Sequence, residues 1–193
     1  CDPQTWNNHG GMIEFGGRWY ICYHRASQGS KYSRRTCMEP IAFNDDGTID
    51  EVEMTTQGPE GPLDPRRPLQ ASRFCLMHGG LHVGVQGRSA WNSEHREYVQ
   101  RIHAGDWMAY KYFDFPAGVK RCIVRAGSAA FGGTLQLRLD SPEGPVIGAC
   151  DIAPTGGWQQ WDEFAATVSV KSPGVHALYL CCEGLRPNRL MDV

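Results

Sequence analysis

Apolar and polar residues alternate along the chain in short bursts rather than at helical spacing. In the first sixty residues four such runs occur: "GMIEF" (11–15), "RWYICYHR" (18–25), "TCMEPIAF" (36–43) and "TIDEVEMT" (48–55). A period of two is that of a strand with one face covered. The runs are joined by Gly16-Gly17 and by "NDDG" (44–47), turn sequences that tolerate the positive φ of a tight hairpin. The expectation is a four-stranded antiparallel sheet the size of one β-propeller blade. Such a sheet is marginal alone, because little covers its faces.

The grammar then changes. "TQGPEGPLDPRRP" (56–68) is dense in Pro and Gly and has no period, as expected of a linker. Beyond it, "HREYVQRI", "DWMAYKYFDF", "KRCIVRAG", "GTLQLRLD", "PVIGACDI", "EFAATVSV" and "VHALYLCCEG" follow one another at the spacing of a sandwich. In "GTLQLRLD", Leu135, Leu137 and Leu139 face one way while Gln136 and Arg138 face the other. The fold class expected is all-β: a partial propeller blade over residues 1–62, followed by a β-sandwich jelly roll over 63–193.

Composition narrows the classes. The chain has 193 residues and a net charge of -2, so nothing points to nucleic acid. No apolar run is long enough to span a bilayer. The 8 cysteines show no Cys-x-x-Cys zinc spacing. Most lie in strand-like apolar runs, which favours free thiols over a disulfide framework. Cys181 and Cys182 are neighbours in a strand and point to opposite faces, so they are not expected to pair.

Two long strings carry a family likeness. "NNHGGMIEFGGRWYICYHR" (7–25) and "SRRTCMEPIAFNDDGTIDEVEMTTQG" (33–58) resemble the closing blade of glycoside hydrolase family 43, a five-bladed propeller acting on xylan and arabinan side chains. "IHAGDWMAYKYFDF", "GGTLQLRLDSPEGPVIGACDI", "TGGWQQW" and "GVHALYLCCEG" resemble carbohydrate-binding module family 6. The resemblance implies that His9 lies near the propeller axis, where it helps position a metal-bound water cluster in an intact enzyme. Read without the resemblance, His9 is a loop histidine satisfied by backbone carbonyls.

Inverting glycosidases need two carboxyl groups about 6.5–9.5 Å apart with a water between. In the family these come from earlier blades, which this chain does not contain. Asp45, Asp46, Glu39, Glu51 and Glu53 are read as turn-capping or solvated acids. No catalytic residue is assigned, and the chain alone is expected not to hydrolyse glycosides.

For the second half, the resemblance implies a loop-edge cleft with two aromatics around a sugar ring and an asparagine from the last loop. Trp158 in "TGGWQQW" matches the stacking tryptophan, with Trp161 assigned to the core. Asn188 matches the hydroxyl-binding asparagine. Tyr98 is the nearest second aromatic, although Arg101 stands where some members carry one; Trp91 is the alternative. Trp107 is read as packed and Asp106 as a turn acid. Many family members hold a structural calcium, but Ser72 stands where a carboxylate is expected. Asp192 is a remaining candidate ligand, so no cofactor is required and calcium is doubtful. The chain ends before the family's closing strand, which predicts an unpaired sheet edge.

The expected function is binding of xylan or arabinoxylan-like plant cell-wall polysaccharide by a non-catalytic part of a family 43 glycosidase. Its expected partners are that polysaccharide and the missing N-terminal blades, with no nucleic acid or membrane. The expected setting is a secreted or cell-surface bacterial protein. Two rivals stand beside this reading. One is the parent activity itself, a β-xylosidase or α-L-arabinofuranosidase; the other is a structural brace without sugar affinity.

Overall fold

The computed structural model describes residues 9–27, 30–86, 96–184 and 189–193. Among them there is no α-helix, only strands and two short 3-10 turns, Gly58–Glu60 and Ala71–Arg73. The all-β expectation holds.

β1 (Gly11–Phe15) and β2 (Arg18–Ser27) form the first hairpin, in register Phe15↔Arg18 to Gly11↔Cys22. Gly16 and Gly17 turn it with φ of +58° and +73°, a conformation open to glycine at little cost. β3 (Ser30–Ile41) pairs with β2 from Trp19↔Ile41 to Ala26↔Arg34. The sheet has three strands, β1-β2-β3, where the pattern predicts four. The fourth run contributes only the bridge Phe43↔Ile49.

Its remainder is drawn away by other partners. Thr55 donates through its backbone N–H (2.8 Å) and its hydroxyl (2.8 Å) to Glu39, which also accepts the Tyr23 hydroxyl at 3.0 Å. Glu39 is thus buried and triply satisfied, not the solvated acid the sequence suggests. Burial and the facing Glu39 push the Tyr23 phenol well above its ordinary pKa.

The sandwich follows as β4 (Leu76–His78), β5 (His82–Gln86), β6 (Arg96–Gln100), β7 (Ile102–His103), β8 (Trp107–Phe115), β9 (Arg121–Ala126), β10 (Gly133–Leu139), β11 (Val146–Ile152), β12 (Asp162–Thr167), β13 (Gly174–Glu183) and β14 (Arg189–Met191). One layer is a five-stranded sheet, β11-β10-β13-β8-β4. The other is assembled from the β5–β6 and β9–β12 ladders, joined by the last residues of the chain. Val193 exchanges backbone hydrogen bonds with Val99 (2.6 and 2.9 Å), and Asp192 does so with Gly127 (3.0 and 2.8 Å). Residues 192 and 193 are therefore zipped between two ladders. The join is confined to these two residues: among the described residues β9 has β12 as its one ladder partner, and an apolar cavity of about 560 Å³ is lined by residues 121–125 together with Val193, so the expected unpaired edge persists along most of β9.

Between the layers lies the core, including Leu135, Met108, Ile102, Val99, Leu190 and Met191, all at most 1% exposed. The alternation read in β10 holds, with Leu135, Leu137 and Leu139 buried and their neighbours half-buried. The seven described cysteines carry free thiols.

Segment 56–63 is no loose tether. Thr56 and Gln57 donate to the Lys111 carbonyl (2.6 and 2.9 Å), Leu63 donates to the Tyr112 carbonyl (2.8 Å), and Asp114 donates back to Leu63 (3.0 Å). Side chains tighten the join: Lys111 pairs with Glu53 at 2.5 Å, and the Tyr112 hydroxyl donates to Glu53 at 2.6 Å. Arg25 of β2 lies over the Phe74 ring, 5.3 Å from its centroid, and donates to the Phe74 carbonyl.

Candidate functional site: a tryptophan row on the sheet face

The inward Leu135, Leu137 and Leu139 force Gln136 and Arg138 onto the outer face of the five-stranded sheet. Cross-strand register then aligns a row: His78 opposite Trp107, Trp107 opposite Cys181, Cys181 opposite Gln136. Four adjacent strands put about 14 Å between its ends, at roughly 4.8 Å per step. A parallel row runs Ala109, Tyr179, Arg138. Over the first row lies a shallow pocket of about 520 Å³, lined also by Pro142 and Glu143, by Glu183 and by the Gly105-Asp106 turn.

Its floor is aromatic. The His78 ring stacks on Trp107 (centroids 5.8 Å apart, planes 16° apart), and Tyr179 leans on the indole at 5.4 Å. Trp107 is half-buried and packs against the cluster of Ala109, Ala177 and Tyr179, as expected of it, with part of its indole left exposed. Its polar wall is ordered: Arg138 donates to Gln136 Oε1 through Nε (2.9 Å) and Nη2 (2.6 Å), and to the Gly144 carbonyl through Nη1 (2.9 Å). An indole beside a fixed guanidinium, an amide and two carboxylates offers what a sugar presents: an apolar C–H face and a rim of hydroxyls. The signal was present in the sequence as the polar positions of β10, but it becomes a site only when register sets them beside Trp107. Asp106 behaves as a turn acid, accepting the His103 N–H at 2.9 Å.

The loop-edge candidates are distributed differently. Trp158 sits in the β11–β12 loop and is half-buried. Gly127 lets this loop approach: a Cβ there would lie 2.7 Å from the Trp158 carbonyl oxygen and 2.9 Å from that of Gln160. The Arg189 guanidinium covers the Trp158 ring at 4.0 Å from its centroid. Tyr98 does not join it. It is 7% exposed, its hydroxyl accepts from Gln159 Nε2 at 3.0 Å, and its ring meets Trp161 edge-on at 5.3 Å. Tyr98 lies on the face of β6 away from the inter-layer core, which its neighbour Val99 enters, and its ring and that of Trp161 line one pocket. Trp161 is half-buried, donates to Gln86 Oε1 at 2.9 Å and lines a pocket of about 240 Å³. Trp91 and Asn188 lie outside the described residues.

The acids offered for a cation are already engaged. Asp192 is fully buried and gripped by Arg189 Nη2 at 2.5 and 2.6 Å and by Nε at 3.2 Å. Burial pushes its carboxyl up, while Arg189 pulls it down. Ser72 donates to Glu97 at 2.8 Å, and Arg35 completes that carboxylate. A hard divalent ion wants several free anionic oxygens; these residues do not offer them and do not fit calcium. His9 is exposed, its backbone N–H donating to His24 Nδ1 at 3.3 Å with the rings 5.6 Å apart. Among the described residues no group of three His, Cys, Asp or Glu side chains could hold a metal.

A two-layer β-sandwich with aromatic and ordered polar groups on its sheet face has the architecture of a glycan-binding module. Residues 82–193 match the family model "Carbohydrate binding module (family 6)", and the chain belongs to that family. The chain is similar to the arabinoxylan arabinofuranohydrolase of Paenibacillus polymyxa, at 29% identity over 97% of this chain and 30% of that protein. It is also similar to the crystal structure of a glycoside hydrolase family 43 arabinoxylan arabinofuranohydrolase from Bacillus subtilis in complex with cellotetraose. That match has a TM-score of 0.66 and 28% identity, covering 97% of this chain and 39% of that one. A family 6 module from Clostridium cellulolyticum in complex with xylose matches with a TM-score of 0.57 and 32% identity, covering 67% and 94%. The chain spans about a third of the length of the two hydrolases. The likeness to both families read from the strings above is borne out, since the hydrolase matches run through nearly the whole chain.

Proposed function

We propose that the sandwich binds β-linked plant cell-wall glycan, xylan or arabinoxylan-like, on its sheet face, and that the blade plays no part in bond-breaking. The observation that carries this is the row His78–Trp107–Cys181–Gln136 with Arg138 fixed beside it. Its length suits several consecutive sugar rings. The sugars in the two solved relatives, cellotetraose and xylose, are β-glycan or its building block. A pocket with few anchors gives modest affinity.

The three-stranded sheet leaves Met12, Ile13 and Phe15 exposed on β1. This apolar edge suits further blades of the same protein, and a polymeric substrate suits a place outside the cell. The blade's buried acid Glu39 is held by Tyr23 and Thr55, and Glu53 by Lys111 and Tyr112; this supports the reading that none is poised with a water as an inverting pair. The brace reading draws support from the contacts that bind blade to sandwich, and the two roles are compatible.

The test is affinity electrophoresis of the chain through gels containing soluble xylan, arabinoxylan or β-glucan. Retardation that Trp107→Ala removes supports the proposal. Unretarded migration in all three gels overturns it.

A further inference from the structure

Resting on the sheet-face reading, we propose that the pocket over Trp107 is a filter for uncharged chains. It takes neutral xylan or arabinoxylan and disfavours chains bearing uronic acid, with Glu143 and Glu183 as the residues that discriminate. The two carboxylates reach the pocket from different parts of the fold. Glu183 lies two residues beyond Cys181 on β13, and residues two apart in a strand share a face. It therefore stands on the outer face with Trp107 and Gln136, and it is exposed.

Glu143, also exposed, comes from the turn between β10 and β11. That turn is folded down on the sheet. Arg138 Nη1 donates to the Gly144 carbonyl at 2.9 Å, Gly144 donates to the Ser141 carbonyl at 3.0 Å, and the Cys181 thiol donates to the Pro142 carbonyl at 3.6 Å. Only glycine fits at 144, since a Cβ there would lie 1.8 Å from the Leu139 carbonyl oxygen. Cys181, between Trp107 and Gln136 in the row, feels both acids: burial pushes its thiol pKa up, Arg138 pulls it down, and Glu143 and Glu183 add to the rise.

The one guanidinium among the lining residues does not cancel them. Arg138 commits three of its five N–H groups to Gln136 and Gly144, so its aim is set by its own strand and turn. The third carboxylate, Asp106, is turned into its own loop, where it accepts the His103 N–H at 2.9 Å. An incoming chain thus meets an aromatic floor and two exposed carboxylates. A sugar hydroxyl donates to a carboxylate, whereas a uronate, itself acceptor-only when ionised, can form no hydrogen bond with one. An arabinose branch adds hydroxyls and no charge, so it passes the filter.

The test titrates two ligands calorimetrically at low and at high salt. One is a xylo-oligosaccharide carrying a single glucuronic acid branch; the other is the same molecule with that carboxyl reduced to the alcohol, which keeps the shape and removes the charge. The chains are wild type, Glu143→Gln/Glu183→Gln and Trp107→Ala, their folds checked by circular dichroism. Each chain is read as the ratio of its two affinities, so a general effect of substitution on sugar binding cancels. Wild type is expected to prefer the reduced ligand by about fivefold at low salt, and high salt and the double substitution are each expected to shrink that preference. Equal affinities in wild type at low salt would overturn the filter and leave the sheet-face reading intact. Tighter binding of the acid would overturn it too, by making Arg138 a uronate-recognition residue. A preference that survives in the double variant removes the role given to Glu143 and Glu183, and one that survives Trp107→Ala places discrimination outside the sheet face; either overturns the inference. Wild type binding neither ligand would sink the sheet-face reading itself, and the filter with it.

Discussion

Arg35, on the blade strand β3, pairs with Glu97 on the sandwich strand β6. The Glu97 side chain is 5% exposed and that of Arg35 33%, and Ser72 supplies a further hydrogen bond from the sandwich itself. A buried carboxylate of one unit is therefore neutralised by a cation of the other. With the Glu53–Lys111 pair and the backbone bonds of Thr56 and Gln57 to β8, it fixes the blade on the sandwich.

Arg35→Ala should destabilise the chain by about 2 kcal/mol. Leaving a buried charge unpaired costs more than forming the pair gains, and the partial exposure of Arg35 trims the full penalty. Glu53→Ala, at an exposed carboxylate, should cost under about 1 kcal/mol. Urea unfolding midpoints measure both. Equal, negligible shifts would mean that the blade is not held by charge.

On the sheet face, Gln136→Ala should weaken xylan retention even though Arg138 remains. Gln136 accepts two of the three hydrogen bonds that Arg138 donates, and a guanidinium released into solvent loses its aim. A loss of about 1–2 kcal/mol, near tenfold in affinity, is expected from one ordered polar contact. Titration with xylohexaose would show it, and an unchanged constant would place recognition elsewhere on the face.

The His176 ring approaches Asp140 Oδ2 at 2.8 Å through Nδ1 and the Ser172 carbonyl at 2.8 Å through Nε2. Both contacts are hydrogen bonds only when both nitrogens carry protons, so the imidazolium is favoured. The bond to Asp140 above all, with that to Ser172, holds its pKa above the ordinary value, against a smaller desolvation effect. A folded value raised above the unfolded one, about 6.5, means stabilisation that is complete below that pH and is lost as pH rises through the folded value. The thermal midpoint should therefore decline slightly across that interval, and His176→Gln should flatten the slope. A slope that the substitution leaves intact assigns the pH dependence to another group.

Chelation should leave the thermal midpoint where it is. Asp192 is occupied by Arg189, and Glu97 by Arg35 and Ser72. A drop of several degrees in EDTA, restored by calcium, would show a site these residues do not form.

Aryl β-xyloside and aryl α-L-arabinofuranoside should not be turned over by this chain. The buried Glu39 and the paired Glu53 are structural. Release of the chromophore above the buffer rate, in a preparation of verified purity, would restore the enzyme reading.

Much of the fold was legible because strands write a local code. The period of two in β10 placed Leu135, Leu137 and Leu139 inside, and Gly16-Gly17 marked the first hairpin. The fourth blade strand failed for a reason outside its own residues: Thr55 and Thr56 found better partners in Glu39 and β8. The neighbours of Tyr98 were not legible either: its place before "GDW" suggested a ligand aromatic, and only tertiary packing set it edge-on to Trp161 at one pocket.

The site divides along the same line. Composition and alternation determined that Gln136 and Arg138 would lie on the outer face and that Trp158 would lie in a glycine-flanked loop, because a side chain's face follows from its position in a strand. Only the tertiary structure decided which residues became neighbours. It set His78, Trp107, Cys181 and Gln136 in one row through the pairing of four strands far apart in the chain, and it laid Arg189 on Trp158 through a salt bridge to a buried Asp192. Register and burial depend on every strand at once, and no single stretch of residues carries that information.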